Sequence, residues 1–226
     1  MVRDVKVKKM EGHSGQVSAA TERLQELVQQ LGASKKILEI GFNAGHSACT
    51  MLNAHEDVTI TSFDLGLHYS LYYLENEEGD DYGKYAHEFI NDRFPGKLEL
   101  ILGDSKKTIP EFGKANPKEK FDLIFIDGDH SYVGAKTDIE NCKQLAHKDT
   151  IVILDDHIGP PWRISDLVND PQVKEIPESP EAEWVQWHNV GPNKAWSEAI
   201  REGVIQQTRN EIYRAGRGFA WGKYIL

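Results

Sequence analysis

Short runs of apolar residues alternate along the chain with longer stretches of helical periodicity. Residues 17–31 repeat apolar side chains at the spacing of one helix face (Leu24, Leu27, Leu31) and stop at Gly32, which predicts a helix. Five later runs are rich in Ile, Leu, Val and Phe without polar alternation, as is typical of buried strands in a parallel sheet. These predicted strands are 36–40, 58–63, 98–102, 121–126 and 150–154.

The predicted strands are separated by segments long enough for crossover helices. These segments are 45–54, 82–93, 106–114 and 133–146. Such serial βα units predict an α/β fold with a doubly wound parallel sheet. Beyond Asp156 the alternation of apolar runs and helical stretches becomes less regular. Two further strands are predicted over 184–190 and 218–225, and we expect them to pair as an antiparallel edge of the same sheet.

The net charge indicates the class of binding partner, and the cysteine content indicates the cellular compartment. The 226 residues carry a formal net charge of −10, so the surface field repels phosphate backbones and favours a small-molecule partner over nucleic acid. Cys49 and Cys142 lie in predicted helices without metal-ligand spacing, which argues against a disulfide framework. No apolar run approaches the roughly 18 residues of a membrane span, and no hydrophobic stretch follows the N-terminal charges. We therefore expect a cytoplasmic protein without membrane contact.

The loop after the first predicted strand has the features of a ligand-binding turn. In an open parallel sheet, ligands bind beyond the carboxyl ends of the strands, near the point where strand order reverses. Gly41 and Gly45 lack a Cβ, which lets the backbone approach a ligand closely. A dinucleotide fingerprint would need glycine where Asn43 stands, so a nucleoside without a pyrophosphate is preferred over NAD. Glu39 precedes the turn and is expected to be a buried acid in need of a partner, which a cationic or hydrogen-bonding ligand would supply.

Acids also follow the next two predicted strands. Asp64 ends the second strand, 23 positions after Gly41, where a carboxylate can accept hydrogen bonds from both ribose hydroxyls. Its alternative role is a helix cap or an ordinary surface acid. Asp104 and Ser105 follow the third strand, where they would contact an adenine amino group, cap the next helix, or do both.

Together these motifs resemble the class I S-adenosylmethionine-dependent methyltransferases, in particular the small-molecule O-methyltransferase-like group called the methyltransferase 24 family. The similarity covers residues 37–157. The segments that carry it are Glu-Ile-Gly at 39–41 with Gly45 and Ser47, Asp-Leu-Gly at 64–66, residues 94–100, Gly-Asp-Ser at 103–105, residues 121–132, and Leu-Asp-Asp at 154–156.

The resemblance implies a Rossmann-like, mostly parallel seven-stranded sheet with helices on both faces, and S-adenosyl-L-methionine as the cofactor. It implies one domain over 1–226, with an N-terminal helical segment (1–35), a cofactor-binding core (36–157) and a substrate- or oligomer-contact segment with the C-terminal strands (158–226). The glycine loop would surround the methionine part, Asp64 would bind the ribose, and Asp104 with Ser105 would face the adenine. The predicted cofactor-binding residues are Glu39, Gly41, Phe42, Asn43, Gly45, Ser47, Asp64, Leu65, Asp104, Ser105 and Asp127.

Acids and histidines follow the fourth and fifth predicted strands, and we expect both groups at one rim. Convergent carboxylates favour Mg²⁺ or Ca²⁺, whereas added imidazole would suit Mn²⁺, Fe²⁺ or Zn²⁺. Catechol and caffeoyl-coenzyme A O-methyltransferases are similar here, which implies Asp127, Asp155 and Asp156 as ligands of a divalent ion that chelates substrate oxygens. In the alternative interpretation, Asp127 and His130 only hydrogen-bond the cofactor or neighbouring loops.

The predicted reaction is in-line attack of a substrate oxygen on the sulfonium methyl group. Those relatives carry a lysine three places after the first metal acid, where this chain has His130, and a neutral imidazole can take a hydroxyl proton near pH 7. We predict His130 and Asp129 as catalytic residues. Two segments, 67–81 and 158–196, are candidates for acceptor binding, because their Tyr and Trp side chains suit an aromatic or otherwise flat small molecule. In the alternative interpretation, the tryptophans are ordinary core residues or contacts of an oligomer such as a homodimer.

Three other interpretations stay open at this point. The Asp-His pairs would suit a metal-dependent hydrolase, which would leave the glycine loop and Asp64 unexplained. A non-catalytic Rossmann-like module could bind a nucleoside or a partner protein with the same residues. An NAD-dependent oxidoreductase is the third, and it is weakened by Asn43.

Overall fold

The computed structural model describes residues 18–32, 35–66, 82–157, 180–214 and 217–226. Helices and strands alternate along most of this length. The helices are α1 (Ser18–Leu31), α2 (His46–Ala54), α3 (Tyr82–Arg93), α4 (Ser105–Ala115), α5 (Tyr132–Cys142) and α6 (Pro180–Arg201). The strands are β1 (Lys36–Ile40), β2 (Thr59–Asp64), β3 (Leu98–Leu102), β4 (Phe121–Ile126), β5 (Ala146–Leu154), β6 (Ile205–Arg214) and β7 (Arg217–Tyr224).

All seven strands join one sheet in the order β3-β2-β1-β4-β5-β7-β6. The first five are parallel, and β7 and β6 complete the sheet as an antiparallel edge. Strand order reverses between β1 and β4, because β2 and β3 extend the sheet on one side of β1, whereas β4 and β5 extend it on the other side. The predicted Rossmann-like fold is therefore confirmed, and its ligand crevice is expected at the carboxyl ends of β1 and β4.

Apolar side chains form one core layer on each face of the sheet. Helices α1, α2 and α3 cover one face through residues such as Leu24, Met51 and Ile90. Helices α4, α5 and α6 cover the other through residues such as Ile109 and Trp196. This two-sided cover explains the unbroken apolar runs of the central strands.

The C-terminal part departs from the sequence prediction in two places. Residues 184–190 were expected to form a strand, but they belong to α6, so that prediction is wrong. Apolar residues three apart in this stretch fit a helix as well as a strand, and Pro180 occupies the first helical position, where proline is favoured. Strand β6 has no predicted counterpart. It is a polar strand paired on one side only, and edge strands often carry such charged sequences.

Helix α6 is fixed to the sheet and to α5 by side chains from its second half. The Trp196 side chain is completely buried, and its Nε1 donates a hydrogen bond to Gln207 Oε1 at 2.7 Å. The Lys194 ammonium lies 3.9 Å from the centre of the Tyr132 ring. The Tyr132 hydroxyl in turn donates to the Glu198 carboxylate. These contacts place α6 directly beside the loop that follows β4.

The carboxyl group of Glu39 lies inside the core, beneath the loop after β1. Glu39 is fully buried, and the hydroxyl groups of Ser47 and Ser62 donate hydrogen bonds to its two oxygens. Ser62 is the residue paired with Glu39 in the parallel register of β1 and β2. The partner expected from a ligand is thus supplied by the protein. Burial raises the pKa of Glu39 to about 7 despite these two hydrogen bonds.

Trp196→Ala should destabilise the protein by about 3–5 kcal/mol, because it removes a fully buried aromatic side chain and leaves a cavity. The measurement is the free energy of unfolding from urea denaturation. Val133→Ala is the control, since that side chain is 63% exposed and its truncation should change the free energy little. Equal effects of the two substitutions would contradict the packing described for α6.

Glu39→Gln should remove a pH-dependent loss of stability. The native pKa of Glu39, about 7, lies above its ordinary value of 4.5, so its contribution to stability is complete below pH 4.5 and is lost as the pH rises through 7. Each pKa unit corresponds to about 1.4 kcal/mol, so the variant should gain up to about 3 kcal/mol on wild type across this window. Urea denaturation at several pH values measures this difference, and parallel pH profiles would contradict it.

Candidate active site

The loop after β1 packs directly against the loop after β4. Gly41 has φ 96°, and its N–H donates to the Phe63 carbonyl at 2.8 Å. A Cβ at this position would lie 1.9 Å from the carbonyl oxygen of Asp127. Only glycine fits both the backbone angle and the contact. The glycine predicted to approach a ligand therefore also brings the backbones of the two loops together at the reversal of strand order.

The rest of the glycine loop turns into α2. Asn43 has φ 47° and Gly45 has φ 71°, so both lie in the left-handed region, and the Gly45 N–H donates to the Phe42 carbonyl at 2.7 Å. The Phe42 side chain is buried in the core, with its ring edge-on to His87. Ser47 is also buried, and its hydroxyl group donates a hydrogen bond to the carboxyl group of Glu39. Because its side chain is buried in the core, Phe42 can offer a ligand only its backbone.

Asp64 connects the loops after β1 and β2. Its Oδ2 accepts a hydrogen bond from the Asn43 N–H at 2.9 Å, and its Oδ1 accepts one from the Gly66 N–H at 2.7 Å. Each carboxylate oxygen has a second lone pair, so both can still accept a hydroxyl donor. Leu65 beside it is 44% exposed. The structure thus places the predicted ribose acid and an exposed apolar side chain at the rim of the glycine loop.

Asp104 and Ser105 stand at the start of α4. Asp104 is the N-cap of this helix, and its side chain accepts from the Lys106 N–H at 3.1 Å, so the predicted cap is confirmed. The Ser105 hydroxyl donates to Oδ1 of Asp138 at 2.7 Å. Asp138 is a fully buried acid on α5 that was not predicted from the sequence, and burial raises its pKa to about 7. Asp138 lies between the apolar residues Ala135 and Cys142 on the buried face of the helix. An acid at such a position is the signal that could have revealed it.

The acids and the histidine after β4 and β5 meet at one rim, as predicted. His130 Nε2 lies 3.2 Å from Asp127 Oδ1, and His130 Nδ1 lies 3.1 Å from Asp156 Oδ2. Asp156 is buried and has φ 55°. The imidazole therefore lies between two of the three carboxylates that were predicted to hold a metal. Asp155 Oδ1 accepts from the Asp156 N–H at 2.6 Å and stabilises the turn.

Asp129 joins its own loop to α4. Asp129 accepts hydrogen bonds from the Lys106 ammonium at 3.1 Å and from the Ser131 N–H at 2.9 Å. Although burial favours its neutral form, these hydrogen bonds lower the pKa of Asp129, so it stays ionised as an anchor of the loop. His157 is buried, and desolvation lowers its pKa to about 4, which keeps its ring neutral.

Two residues of α6 fix the backbone of this rim, and neither was predicted from the sequence. A Cβ on Gly191 would lie 2.0 Å from the carbonyl oxygen of His130, so helix and loop are in direct backbone contact. The buried Asn193 donates from Nδ2 to the carbonyl oxygen of Asp156 at 3.5 Å. The signal in the sequence is Gly191-Pro192, an unusual pair for a helix interior.

Within the described residues, no three His, Cys, Asp or Glu side chains are arranged to hold a metal ion. No helix in this part of the chain is long and apolar enough to cross a membrane. Both candidate acceptor segments fall mostly outside the described residues: segment 67–81 entirely, and residues 158–179 of the other. The side chains of Trp184, Trp187 and His188 also lie outside them.

Two surface cavities, of about 230 and 280 Å³, lie at the opposite end of the sheet. Lys36, Thr59 and Leu98, which line the first, are residues at the amino ends of β1, β2 and β3. Proteins with parallel sheets bind their ligands at the carboxyl ends of the strands, so the rim of Gly41 and His130, rather than these cavities, is the candidate active site.

Comparison with known proteins identifies the family. The model of the methyltransferase 24 family, described as a methyltransferase domain, matches residues 38–157. No curated protein sequence matches the chain.

Solved structures share the fold. An O-methyltransferase from Bacillus cereus, in complex with S-adenosylhomocysteine, is 19% identical with a TM-score of 0.61, covering 95% of this chain and 82% of its own. The O-methyltransferase TomG from Streptomyces achromogenes, in complex with S-adenosylmethionine, is 15% identical with the same TM-score and coverages of 95% and 82%. Cofactor-bound Rv0187 from MTB is 17% identical with a TM-score of 0.62, covering 96% and 82%. By its family match, the chain belongs to the methyltransferase 24 family of class I S-adenosylmethionine-dependent methyltransferases.

Proposed function

We propose that the protein transfers a methyl group from S-adenosylmethionine to an oxygen atom of a small molecule, with His130 as the base. One observation carries the proposal above the others: at the reversal of strand order, Gly41 packs on the carbonyl group of Asp127, and the carboxylate of Asp64 accepts from the N–H of Asn43 in the same glycine loop. The Bacillus cereus and Streptomyces structures that share the fold hold S-adenosylhomocysteine and S-adenosylmethionine. The acidic surface of the chain favours a small molecule as the acceptor.

The reaction requires little from the protein beyond alignment of the acceptor oxygen with the methyl group and a proton acceptor. The bond between the sulfonium sulfur and the methyl carbon breaks while the acceptor oxygen bonds to that carbon, and the bonding electrons stay on sulfur. The acceptor hydroxyl displaces the Asp127 carboxylate, which lies 3.2 Å from Nε2 of His130, and passes its proton to that nitrogen, from which it later leaves to water. The leaving group is already activated by its positive charge, so positioning supplies most of the acceleration.

We assign no step to a divalent cation, because the imidazole of His130 stands between Asp127 and Asp156. The same geometry weighs against a metal-dependent hydrolase. Asn43 weighs against an NAD-dependent oxidoreductase, and a non-catalytic module would bind the cofactor without turning it over. The cytoplasmic location and the homodimer stay predictions from sequence.

Asp64→Asn should weaken binding of S-adenosylhomocysteine by about tenfold or more, since hydrogen bonds to a charged acceptor contribute about 1.5–3 kcal/mol. Calorimetric titration with S-adenosylmethionine, S-adenosylhomocysteine and NAD measures this loss and tests the choice of cofactor. Asp149→Asn is the control, because that carboxylate is 62% exposed and lies on β5 near its amino end. Wild-type protein that binds NAD and neither sulfur nucleoside would overturn the proposed function.

His130→Ala should lower turnover by about 100-fold or more, the range expected for a lost general base, with cofactor affinity within about twofold of wild type. Turnover is measured as S-adenosylhomocysteine release with a panel of phenolic and sugar hydroxyl acceptors. His147→Ala is a matched control, because His147 makes the same kind of contact, 3.2 Å to Asp122, away from the crevice. Equal losses of turnover and affinity in His130→Ala would assign this residue to cofactor binding instead.

A further inference from the structure

The first turn of α4 lies between the predicted ribose acid and the loop after β4. On one side, the Gly103 N–H donates to the Asp64 carbonyl at 2.8 Å, which joins the loop after β3 to the end of β2. On the other side, the Lys106 ammonium donates to the Asp129 carboxylate at 3.1 Å. Ser105 stands between these two contacts and is only half-buried. Its hydroxyl group is therefore placed beside the ribose end of the predicted cofactor site.

The carboxyl group of Asp138 on α5 contacts Ser105 from the buried side. The Ser105 hydroxyl donates its hydrogen to Oδ1 of Asp138 at 2.7 Å, and the Asp138 side chain is fully buried. The other carboxyl oxygen, Oδ2, has no hydrogen-bond partner among the residues that the structure describes. It lies against the loop after β4, since a Cβ on Gly128 would be 3.2 Å from it. One buried carboxyl group thus contacts both α4 and this loop.

A purely structural role explains this carboxyl group poorly. Burial of a carboxyl group costs free energy that hydrogen bonds have to offset, and Asp138 has one such bond for its two oxygens. Ala135 and Cys142, its neighbours on the buried face of α5, are apolar. An apolar side chain of similar shape would suit this environment at least as well, because the half-buried Ser105 hydroxyl could then bind water. The acid therefore adds little to the stability of the fold.

The hydrogen bond determines what Ser105 can offer to a ligand. A serine hydroxyl has one hydrogen and two lone pairs, and an ionised carboxylate can only accept. Because the hydrogen is donated to Asp138, the Ser105 oxygen presents lone pairs alone to its open side. Such an oxygen binds a donor, for example the 6-amino group of adenine. It repels an acceptor in the same place, for example the 6-carbonyl oxygen of hypoxanthine.

We propose that Asp138 is a positioning residue that makes the cofactor site specific for adenine, acting through Ser105. The proposal rests on the proposed function and deepens it, because it concerns the base of the same nucleoside. Asp138 holds the hydroxyl hydrogen on the buried side, and the Ser105 oxygen accepts from the 6-amino group. A base with a 6-carbonyl oxygen brings two acceptors face to face and is rejected.

The test is Asp138→Leu, in which an apolar side chain of similar shape removes the acceptor from Ser105. The released hydroxyl can then rotate, so that it donates to a carbonyl oxygen as readily as it accepts from an amino group. Calorimetric titration measures the affinities for S-adenosylhomocysteine and for S-inosylhomocysteine, which carries hypoxanthine in place of adenine. The titrations are run at about pH 8.5, above the Asp138 pKa of about 7, so that the wild-type carboxylate is ionised.

Wild type should prefer S-adenosylhomocysteine by about 100-fold or more, because an acceptor facing an acceptor is strongly disfavoured. In Asp138→Leu the preference should be smaller by about tenfold or more, mainly through tighter binding of S-inosylhomocysteine. Hypoxanthine also differs from adenine at N1, but this difference acts in both proteins and cancels when their preferences are compared. A merely structural carboxyl group would change both affinities alike, so an unchanged preference in Asp138→Leu would overturn the proposal.

Two further variants separate the effect of Asp138 from that of its surroundings. Cys142→Ala changes the same buried face of α5 one turn later and should keep the wild-type preference. Ser105→Ala should lower the preference, and the double variant with Asp138→Leu should lower it no further, since Asp138 acts through Ser105. An unchanged preference in Ser105→Ala, or additive losses in the double variant, would overturn the proposal.

The same titrations distinguish failure of this proposal from failure of the proposed function. Urea denaturation first checks that Asp138→Leu is folded, and its free energy of unfolding should equal or exceed that of wild type. If wild type fails to bind S-adenosylhomocysteine, the proposed function is contradicted, and this proposal with it. If wild type binds it but folded Asp138→Leu discriminates against S-inosylhomocysteine as strongly, the proposed function stands and this proposal alone is overturned.

Discussion

The contact between Gly41 and the carbonyl group of Asp127 is the constraint on which the rest of the site depends. It joins the loops of the two central strands at the one place where the order of the sheet reverses. Because no side chain fits there, both loops can approach each other by backbone alone. Asp64 is joined to the first of these loops through the Asn43 N–H, and His130 follows Asp127 in the second, so a single contact fixes the positions of the two loops that carry the predicted site.

Polar residues beneath and beside this contact are held by the protein itself. The Glu39 carboxyl is held by two serine hydroxyl groups under the loop, and the Asp64 carboxylate is held by two backbone amides at its rim. A site whose parts are fixed before the ligand arrives spends little binding free energy on ordering them. Helix α6 does the same for the far side, where Gly191 and Asn193 contact the loops that carry His130 and Asp156.

The parallel half of the fold could be predicted from sequence, because buried strands and crossover helices leave strong apolar patterns. All five predicted parallel strands are present, with ends within four residues of those expected. The antiparallel edge was predicted in part: β7 was found, β6 was missed because a polar edge strand has no such pattern, and 184–190 proved helical. Within the site, the motifs indicated the loops and the convergence of acids at one rim. They could not indicate that His130 lies between Asp127 and Asp156, since the position of an imidazole between two acids depends on how a distant helix packs.

The most direct test of the crevice is the affinity of Gly41→Ala for S-adenosylhomocysteine, measured by calorimetry beside Gly96→Ala. Both glycines have a positive φ, but a Cβ at Gly96 meets nothing within 4 Å, whereas at Gly41 it meets the Asp127 carbonyl group at 1.9 Å. The structure predicts that folded Gly41→Ala protein, checked by circular dichroism, binds at least about tenfold more weakly, equivalent to about 1.4 kcal/mol, while Gly96→Ala binds like wild type. Equal affinities of the two folded variants would contradict the account.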